Sequence, residues 1–271
     1  MNVLKNIFKD KANNVFGMIH VRPLPGTPLY DGNGVKRIVY AACKEAETYL
    51  KCGVDGLIVE NMHDVPYVPA RHITPETVAT MTAICSAVRR TVSDCVPCGV
   101  QILAAANSEA IAVAQASGFQ FVRAEGFVFG HVADEGYTDA CAGRLLRYRE
   151  SIGAREVCVF ADVKKKHSSH AITQDVSLAE TAKAAEFFMA DGIVITGTAT
   201  GQPAEPDHVT DMKRTVSIPV LVGSGVTADN VYRYEGADGF IVGSHFKKNG
   251  MWQNELDETA ILKFMEHVKS M

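Results

Sequence analysis

Apolar residues recur along the chain in short runs, and each run is followed by a stretch whose apolar positions have helical spacing. The runs are rich in Val, Ile and Phe and are typical of strands. They span 14–21, 56–61, 98–104, 119–125, 156–163, 192–197, 219–225 and 239–244. The predicted helices span 33–52, 74–92, 107–117, 138–152, 177–190, 206–216, 228–235 and 257–269. Strands that are apolar throughout are buried on both faces and therefore run parallel.

Eight strand–helix units in succession predict an α/β fold, the (β/α)8 TIM barrel, in a single domain over 1–271. A doubly wound open sheet fits less well, because no early G-x-G-x-x-G opens the chain. We expect an N-terminal extension over 1–13, eight β/α units over 14–246, and a final loop with a C-terminal helix over 247–271. The longest loops are expected after the first, second, fifth and sixth strands. Glycine is expected to end several helices, at Gly53, Gly118, Gly153, Gly236 and Asp191-Gly192.

Composition excludes several classes of function. The formal net charge of the 271 residues is -4, and three consecutive lysines form the one basic tract, so we expect no nucleic-acid partner. No apolar run approaches the roughly 18 residues of a membrane span, and the first 15 residues lack the apolar core of a secretory signal. Seven scattered cysteines in a chain of this length indicate reduced thiols and a cytoplasmic protein.

The seventh and eighth predicted strands both end in Gly-Ser, and the sixth ends in small residues and hydroxyls. In TIM barrels the loops after strands seven and eight often bind phosphate through backbone N–H groups. We therefore predict a phosphate site with the amides of Gly225 and Ser244 as its main donors. The residues assigned to this site are Thr196, Gly197, Thr198, Gly223, Ser224, Gly225, Gly243 and Ser244. The alternative is structural, since βα turns favour Gly and Ser in any case.

Ionisable side chains gather at the predicted C-terminal ends of the strands, which is where active sites of TIM barrels lie. Charged groups there are costly unless they are paired or used. The candidates for acid–base chemistry are His20, Glu60, Arg123, Glu125, Asp162, Lys166 and His167. Two alternatives stay open: Arg123 and Glu125 could form an internal ion pair, and His20 could be a core histidine with satisfied hydrogen bonds.

The fifth strand ends in "ADVKKKH" (161–167), a run of three lysines. Strand alternation predicts that Lys164 and Lys166 share a face with Asp162, and that Lys165 faces solvent. A lysine crowded by like charge loses pKa and can act as a base, an imine-forming amine or a phosphate clamp. His20, Glu60, Asp162 and His167 could gather a divalent metal, but they come from separate positions. We therefore predict no metal site and no cofactor.

Five segments together resemble one family. They are "FGMIHVRPLPGTP" (16–28), "VDGLIVEN" (54–61), "FADVKKKH" (160–167), the Thr-Gly pairs of 196–201 and "VGSGVTADNV" (222–231). In this order they resemble the BtpA family, which includes proteins called SgcQ, over nearly the whole chain. The family is similar to the ribulose-phosphate-binding barrels, so the resemblance implies a TIM barrel and a phosphate-bearing ligand. Family members often have a histidine at the position of Lys164, which leaves Asp162, Lys166 and His167 as the residues that the resemblance carries over.

Two classes of function are compatible with these observations. The first is an enzyme acting on a small phosphorylated metabolite, a sugar phosphate or phosphoribosyl compound, by acid–base, lyase, isomerase or transferase chemistry. The second is a non-catalytic assembly factor, which the photosystem I names in the family imply. The polar strand ends and the glycine turns favour the first, since a scaffold needs neither. The apolar stretch "AEFFMA" (185–190) on a predicted outer helix further indicates a homo-oligomer.

Overall fold

The fold is a closed parallel barrel surrounded by helices. We describe it from a computed structural model, in which residues 3–8 and 12–271 are placed well enough to be described. The strands in these residues are β1 (Asn14–His20), β2 (Gly56–Glu60), β3 (Cys98–Gln101), β4 (Phe121–Ala124), β5 (His131–Ala133), β6 (Gly136–Thr138), β7 (Cys158–Val163), β8 (Ser168–Ser169), β9 (Gly192–Ile195), β10 (Val220–Val222) and β11 (Gly239–Val242). Eight of them close in the order β1-β11-β10-β9-β7-β4-β3-β2, all parallel, which confirms the predicted TIM barrel.

Within the described residues, one helix precedes the barrel and seven follow its strands. The helices in the described residues are α1 (Val3–Phe8), α2 (Val35–Lys51), α3 (Pro75–Thr91), α4 (Asn107–Ser117), α5 (Ala142–Ser151), α6 (Leu178–Phe187), α7 (Pro206–Thr215) and α8 (Glu258–Ser270). The larger apolar core lies between these helices and the outer face of the barrel. At its centre the buried Tyr49 of α2 packs in the space left by Gly17 and donates a 2.8 Å hydrogen bond to the carbonyl of Met18.

The N-terminal end of the barrel interior is filled by phenylalanines that face glycines on neighbouring strands. Three pairs are in direct register: Phe16 with Gly56, Phe121 with Gly99, and Phe160 with Gly192. A Cβ on any of these glycines would collide with its partner's ring, so the missing side chain makes room for the aromatic one. α1 closes this end from below, with Ile7 buried in the same cluster and Phe8 stacked edge-on against Phe16 and Phe160. We call this cluster the aromatic floor.

The structure differs from the sequence-based expectation in its loops. The longest loop follows the fourth barrel strand β4, where β5 and β6 form a hairpin that pairs with β8 in the loop after β7. We call this three-stranded sheet the flap. The predicted helix over 228–235 is only a 3₁₀ turn, Val231–Tyr234. The four glycines Gly53, Gly118, Gly153 and Gly236 do take positive φ, but α6 ends through Met189 (φ 66°) rather than Gly192, which lies in β9.

Candidate functional site

A cavity of about 440 Å³ opens at the C-terminal end of the barrel. Its wall includes most of the residues selected from the sequence: His20, Glu60, Arg123, Glu125, Lys166, His167, Gly223, Ser224, Gly225, Gly243 and Ser244. The other four, Asp162, Thr196, Gly197 and Thr198, do not line it. One open cavity therefore brings together all but one of the predicted acid–base residues and most of the predicted phosphate-binding residues.

Arg123 and Asp162 form a fully buried, two-pronged ion pair across neighbouring strands. Arg123 donates from Nε to Oδ1 of Asp162 at 2.8 Å and from Nη2 to Oδ2 at 3.0 Å. Both side chains are almost inaccessible to solvent. Burial disfavours the guanidinium charge, but Asp162 outweighs burial and raises the pKa of Arg123. Asp162 is thus engaged with its neighbour on β4 and is not the free acid or base that the sequence suggested.

Glu125 pairs with Lys165 rather than with Arg123. Lys165 Nζ lies 3.1 Å from Glu125 Oε1, and the Ala105 amide donates to Oε2 at 2.8 Å. Burial alone would raise the pKa of Glu125, but Lys165 and the amide outweigh it and lower that pKa. The prediction that Lys165 faces solvent is wrong, because β7 ends at Val163 and Lys164 then takes a left-handed φ of 47°. The alternation of a strand does not continue through such a turn.

Lys166 faces the cavity without a partner. Its ammonium group makes no ion pair or hydrogen bond with any residue in 3–8 or 12–271. Burial and the neighbouring Arg123 lower its pKa, while Glu60 and Asp162 act in the opposite direction. A desolvated amine beside a second cation is a common way of keeping a lysine partly neutral and reactive.

Glu60 is a buried carboxyl group in the same cavity wall. It lies at the end of β2, where burial raises its pKa to about 6, against the attraction of Arg123 and Lys166. His20 Nε2 lies 3.7 Å from its Oε2, and His20 Nδ1 contacts the Trp252 carbonyl at 3.1 Å. Burial and Lys247 hold the pKa of His20 well below its usual value, so the imidazole is neutral. A carboxyl group with a pKa of about 6 can give or take a proton near neutral pH.

The other part of the wall consists of the loops after β10 and β11. Gly225 and Ser244 line the cavity, and their amides donate to no other group of the described chain. His245 joins the two loops, since its Nε2 accepts the Ala228 amide at 3.2 Å, and burial lowers its pKa. An acceptor nitrogen requires the neutral ring, so the loops are joined by a group that carries no charge.

Several predicted phosphate residues instead build the loop behind the cavity. Ser224 accepts from the Gly197 amide at 2.7 Å and donates to the Gln202 carbonyl at 2.9 Å, so its hydroxyl is already used. Thr198 contacts the Gln202 side chain, and the Thr196 hydroxyl is buried without a partner in the described chain. These residues hold the segment 197–203 against the turn at 223–225.

Gly225 is required by this packing. Its φ is 64°, and a Cβ would collide with the backbone of Gln202 and Pro203. Gly225→Val would therefore disturb folding, because the substitution strains the turn and drives two loops apart. The buried Phe246 packs against Tyr49 and Phe264 and leaves the glycine turns open to the cavity.

Sequence reasoning missed a third group of cavity residues, which come from loops rather than strand ends. These are Met62, Val65, Tyr67, Leu103, Asp134, Glu135, Thr200, Gly201, Thr227, His245, Gly250 and Trp252. Asp134 and Glu135 form the hairpin turn of the flap, and the long "GFVFGHVADEGYTD" segment (126–139) was the available signal for it. Trp252, the one tryptophan of the chain, stacks on His63 at 4.9 Å between ring centres.

No group of three or more His, Cys, Asp or Glu side chains within residues 3–8 and 12–271 has the arrangement of a metal site. His20 and Glu60 come together, but Asp162 is held by Arg123, and His167 contacts Thr200 at 2.9 Å. Of the four residues considered as metal ligands, Asp162 and His167 therefore have partners outside the group.

Comparison with known protein families identifies the family of the chain. A family model described as the BtpA family matches residues 11–270. The chain belongs to the BtpA family. An uncharacterised protein of Caenorhabditis elegans, named as mitochondrial, is 48% identical over 274 residues, which cover 99% of this chain and 98% of the relative. The Photosystem I biogenesis protein BtpA of Synechocystis is 32% identical over 256 residues, covering 94% of this chain and 87% of the relative.

Solved structures support the fold at low sequence identity. The crystal structure of phosphoribosyl anthranilate isomerase from Thermus thermophilus superposes with a TM-score of 0.59, over 95% of this chain and 98% of that one, at 12% identity. At this identity the similarity establishes the barrel architecture of this BtpA-family chain and nothing about its reaction. In the described part of the chain, no helix combines the length and apolar character needed to cross a membrane.

Proposed function

We propose that this BtpA-family chain is an enzyme that acts on a small phosphorylated metabolite in the cavity at the C-terminal end of the barrel. The observation that carries the proposal is the unpaired Lys166 amine, which faces a cavity also lined by Gly225 and Ser244, two residues with free amides. Leaving a half-buried cation without a partner costs folding free energy, and such costs are typical of functional sites.

The loops after β10 and β11 form the phosphate subsite of this proposal. Free backbone N–H groups beside a glycine turn attract an anion, and Gly243 lets this wall approach the His20 ring closely. The architecture shared with a phosphoribosyl isomerase is consistent with an anion at this place. The substrate class proposed is a sugar phosphate or a phosphoribosyl compound.

Glu60 and Lys166 carry the proton transfers of this proposal. Glu60, with a pKa of about 6, can give or take a proton near neutral pH, and the neutral His20 beside it can relay one. Arg123 and Asp162 act as a charged pair that influences the pKa of Lys166 and of Glu60. The reaction class is acid–base chemistry of the lyase, isomerase or transferase type.

The name of the Synechocystis relative supports a second candidate, a non-catalytic role in assembling other proteins. A cytoplasmic location stays a prediction, and the worm relative's name raises mitochondria as the alternative. The homo-oligomer also stays a prediction. The exposed Phe187 and Met189 at the end of α6 are the side chains that such an interface would cover.

Thermal unfolding in the presence of phosphorylated metabolites tests the proposal. A ligand at about 100 times its Kd adds roughly 2.7 kcal/mol to the free energy of unfolding. We expect one or more sugar phosphates to stabilise the wild-type chain, and their unphosphorylated counterparts to have no effect. If no phosphorylated compound stabilises the protein, the enzyme proposal fails and the assembly role becomes the leading one.

A further inference from the structure

The three consecutive lysines after β7 lie in three different environments. Lys164 is half-buried and its amine donates to the Thr173 carbonyl at 3.4 Å. Lys165 is buried and pairs with Glu125 at 3.1 Å. Lys166 makes neither kind of contact within the described residues and faces the cavity. The left-handed φ values of Lys164 and His167, 47° and 54°, place a turn on each side of the pair 165–166 and direct the three amines apart.

We propose that Lys166 forms a covalent imine with a carbonyl group of the substrate, which makes the substrate a phosphorylated aldehyde or ketone. The inference deepens the proposed function and rests on it for the phosphate group. Its geometric basis is the cavity, the unpaired Lys166 amine and the Glu60 carboxyl group in the same cavity wall.

An amine that acts as nucleophile must be partly neutral, and its surroundings favour this state. Arg123 lies near Lys166 as a second cation that cannot lose its proton, and the cavity wall shields the half-buried lysine from part of the solvent. The carboxylate of Asp162 is fully engaged by Arg123 and forms no ion pair with Lys166.

The covalent step balances with the groups present. The lone pair of Nζ attacks the carbonyl carbon, Glu60 gives a proton to the carbonyl oxygen, and the Glu60 carboxylate then takes a proton back from the attacking nitrogen to give a neutral carbinolamine. Glu60 gives this proton to the hydroxyl, which leaves as water while the nitrogen lone pair forms the C=N bond. The net change is one carbonyl, one neutral amine and one proton to one protonated imine and one water, with no oxidant or reductant. The positively charged imine can then withdraw electrons from the adjacent carbon–hydrogen or carbon–carbon bond.

Pyridoxal 5′-phosphate is a suitable probe, because it carries an aldehyde and a phosphate and its imine absorbs visible light. We would incubate the full chain with this probe at neutral pH, reduce with borohydride, and map the modified lysines by peptide mass spectrometry. We expect Lys166 to be labelled several-fold faster than Lys164 or Lys165 in the wild-type chain. We expect inorganic phosphate to slow the labelling of Lys166 and of no surface lysine.

Two variants serve as matched controls. Lys164→Met removes a neighbouring amine outside the cavity and should leave labelling of Lys166 unchanged. Lys166→Arg keeps the charge, cannot form the imine and should lose the visible absorbance, with circular dichroism used to check that it folds. Labelling of Lys166 no faster than of Lys164 would overturn the imine. If sugar phosphates still stabilise the wild-type chain in that case, the proposed function survives without it.

Discussion

The two ends of this barrel are built from the same eight strands and have opposite physical character. At the N-terminal end, phenylalanines fit against glycines to form the aromatic floor, with α1 closing it. At the C-terminal end, β1, β2, β4 and β7 carry the buried ionisable groups His20, Glu60, Arg123 and Asp162. The aromatic floor therefore stabilises the fold. The C-terminal end, which we call the mouth, retains ionisable groups that folding alone would not select.

The largest effect is expected at the aromatic floor. Phe121→Ala removes a fully buried ring and leaves the space above Gly99 empty, so it should lower the free energy of unfolding by about 3–5 kcal/mol. Phosphate-induced stabilisation should stay at the wild-type value. Urea unfolding with and without phosphate measures both quantities. The control is Phe187→Ala at an 82% exposed position, where we expect a change within about 0.5 kcal/mol.

A loss of similar size is expected at the mouth when one partner of the Arg123–Asp162 pair is removed. Asp162→Asn leaves a buried guanidinium without its counter-charge, which should cost about 3–5 kcal/mol. Replacing both residues, as Arg123→Met with Asp162→Leu, should recover much of that loss. A double variant no more stable than Asp162→Asn would show that the pair stabilises the barrel in its own right.

A substitution that adds a negative charge can test anion binding separately from folding stability. Ser244→Asp places a carboxylate next to the free amides, where it should abolish the stabilisation by phosphate, up to about 2.7 kcal/mol at 100 times Kd. Its own stability should change by less than about 0.5 kcal/mol, because an acidic residue is tolerated at the start of a helical turn. Ser108→Asp in the first turn of α4 has the same charge change away from the cavity. Equal loss of phosphate binding in both variants would contradict the assignment.

The smallest of these effects concerns Glu60 and pH. Because its pKa rises from 4.5 in the unfolded chain to about 6 in the folded one, the folded state binds more protons between these values. Stability from this group is therefore lost as pH rises from about 4.5 to 6, a cost of about 2 kcal/mol above pH 6. Glu60→Gln should be more stable than wild type at pH 7, and the difference should vanish near pH 4. Unfolding at both pH values measures it. A Glu60→Gln variant less stable than wild type at pH 7 would contradict the conclusion that the ionised Glu60 destabilises the fold.

The alternation of apolar runs and helical stretches was enough to predict the barrel, all eight of its strands and seven of its helices. That pattern is local, and buried parallel strands reveal it clearly. The pairing of charges was not predictable. Arg123 was weighed with Glu125 because both lie two residues apart on one strand, whereas its partner Asp162 comes from the next strand of the barrel. Partners across strands depend on register, which a single sequence does not reveal.

The loops account for the remaining differences. Lys165 was assigned to solvent because strand alternation was extended past Val163, where the backbone turns to positive φ at a non-glycine residue. The flap was missed because its strands are only two or three residues long and pair across two separate loops. His245 and Trp252 lay beyond the last strand, in a segment without periodicity, so nothing marked them as cavity residues.

The flap also sets how the mouth can move. Its β5–β8 pairing, Val132 with Ser169 and Ala133 with Ser168, ties the hairpin that carries Glu135 to the loop of the lysines. The two loops cannot separate on this side of the cavity unless that short antiparallel pairing breaks. Deuterium uptake at the amides of these residues would therefore report how often the two loops separate. A bound molecule that bridges both loops would slow the uptake, which offers a reading of ligand residence time before any turnover is known.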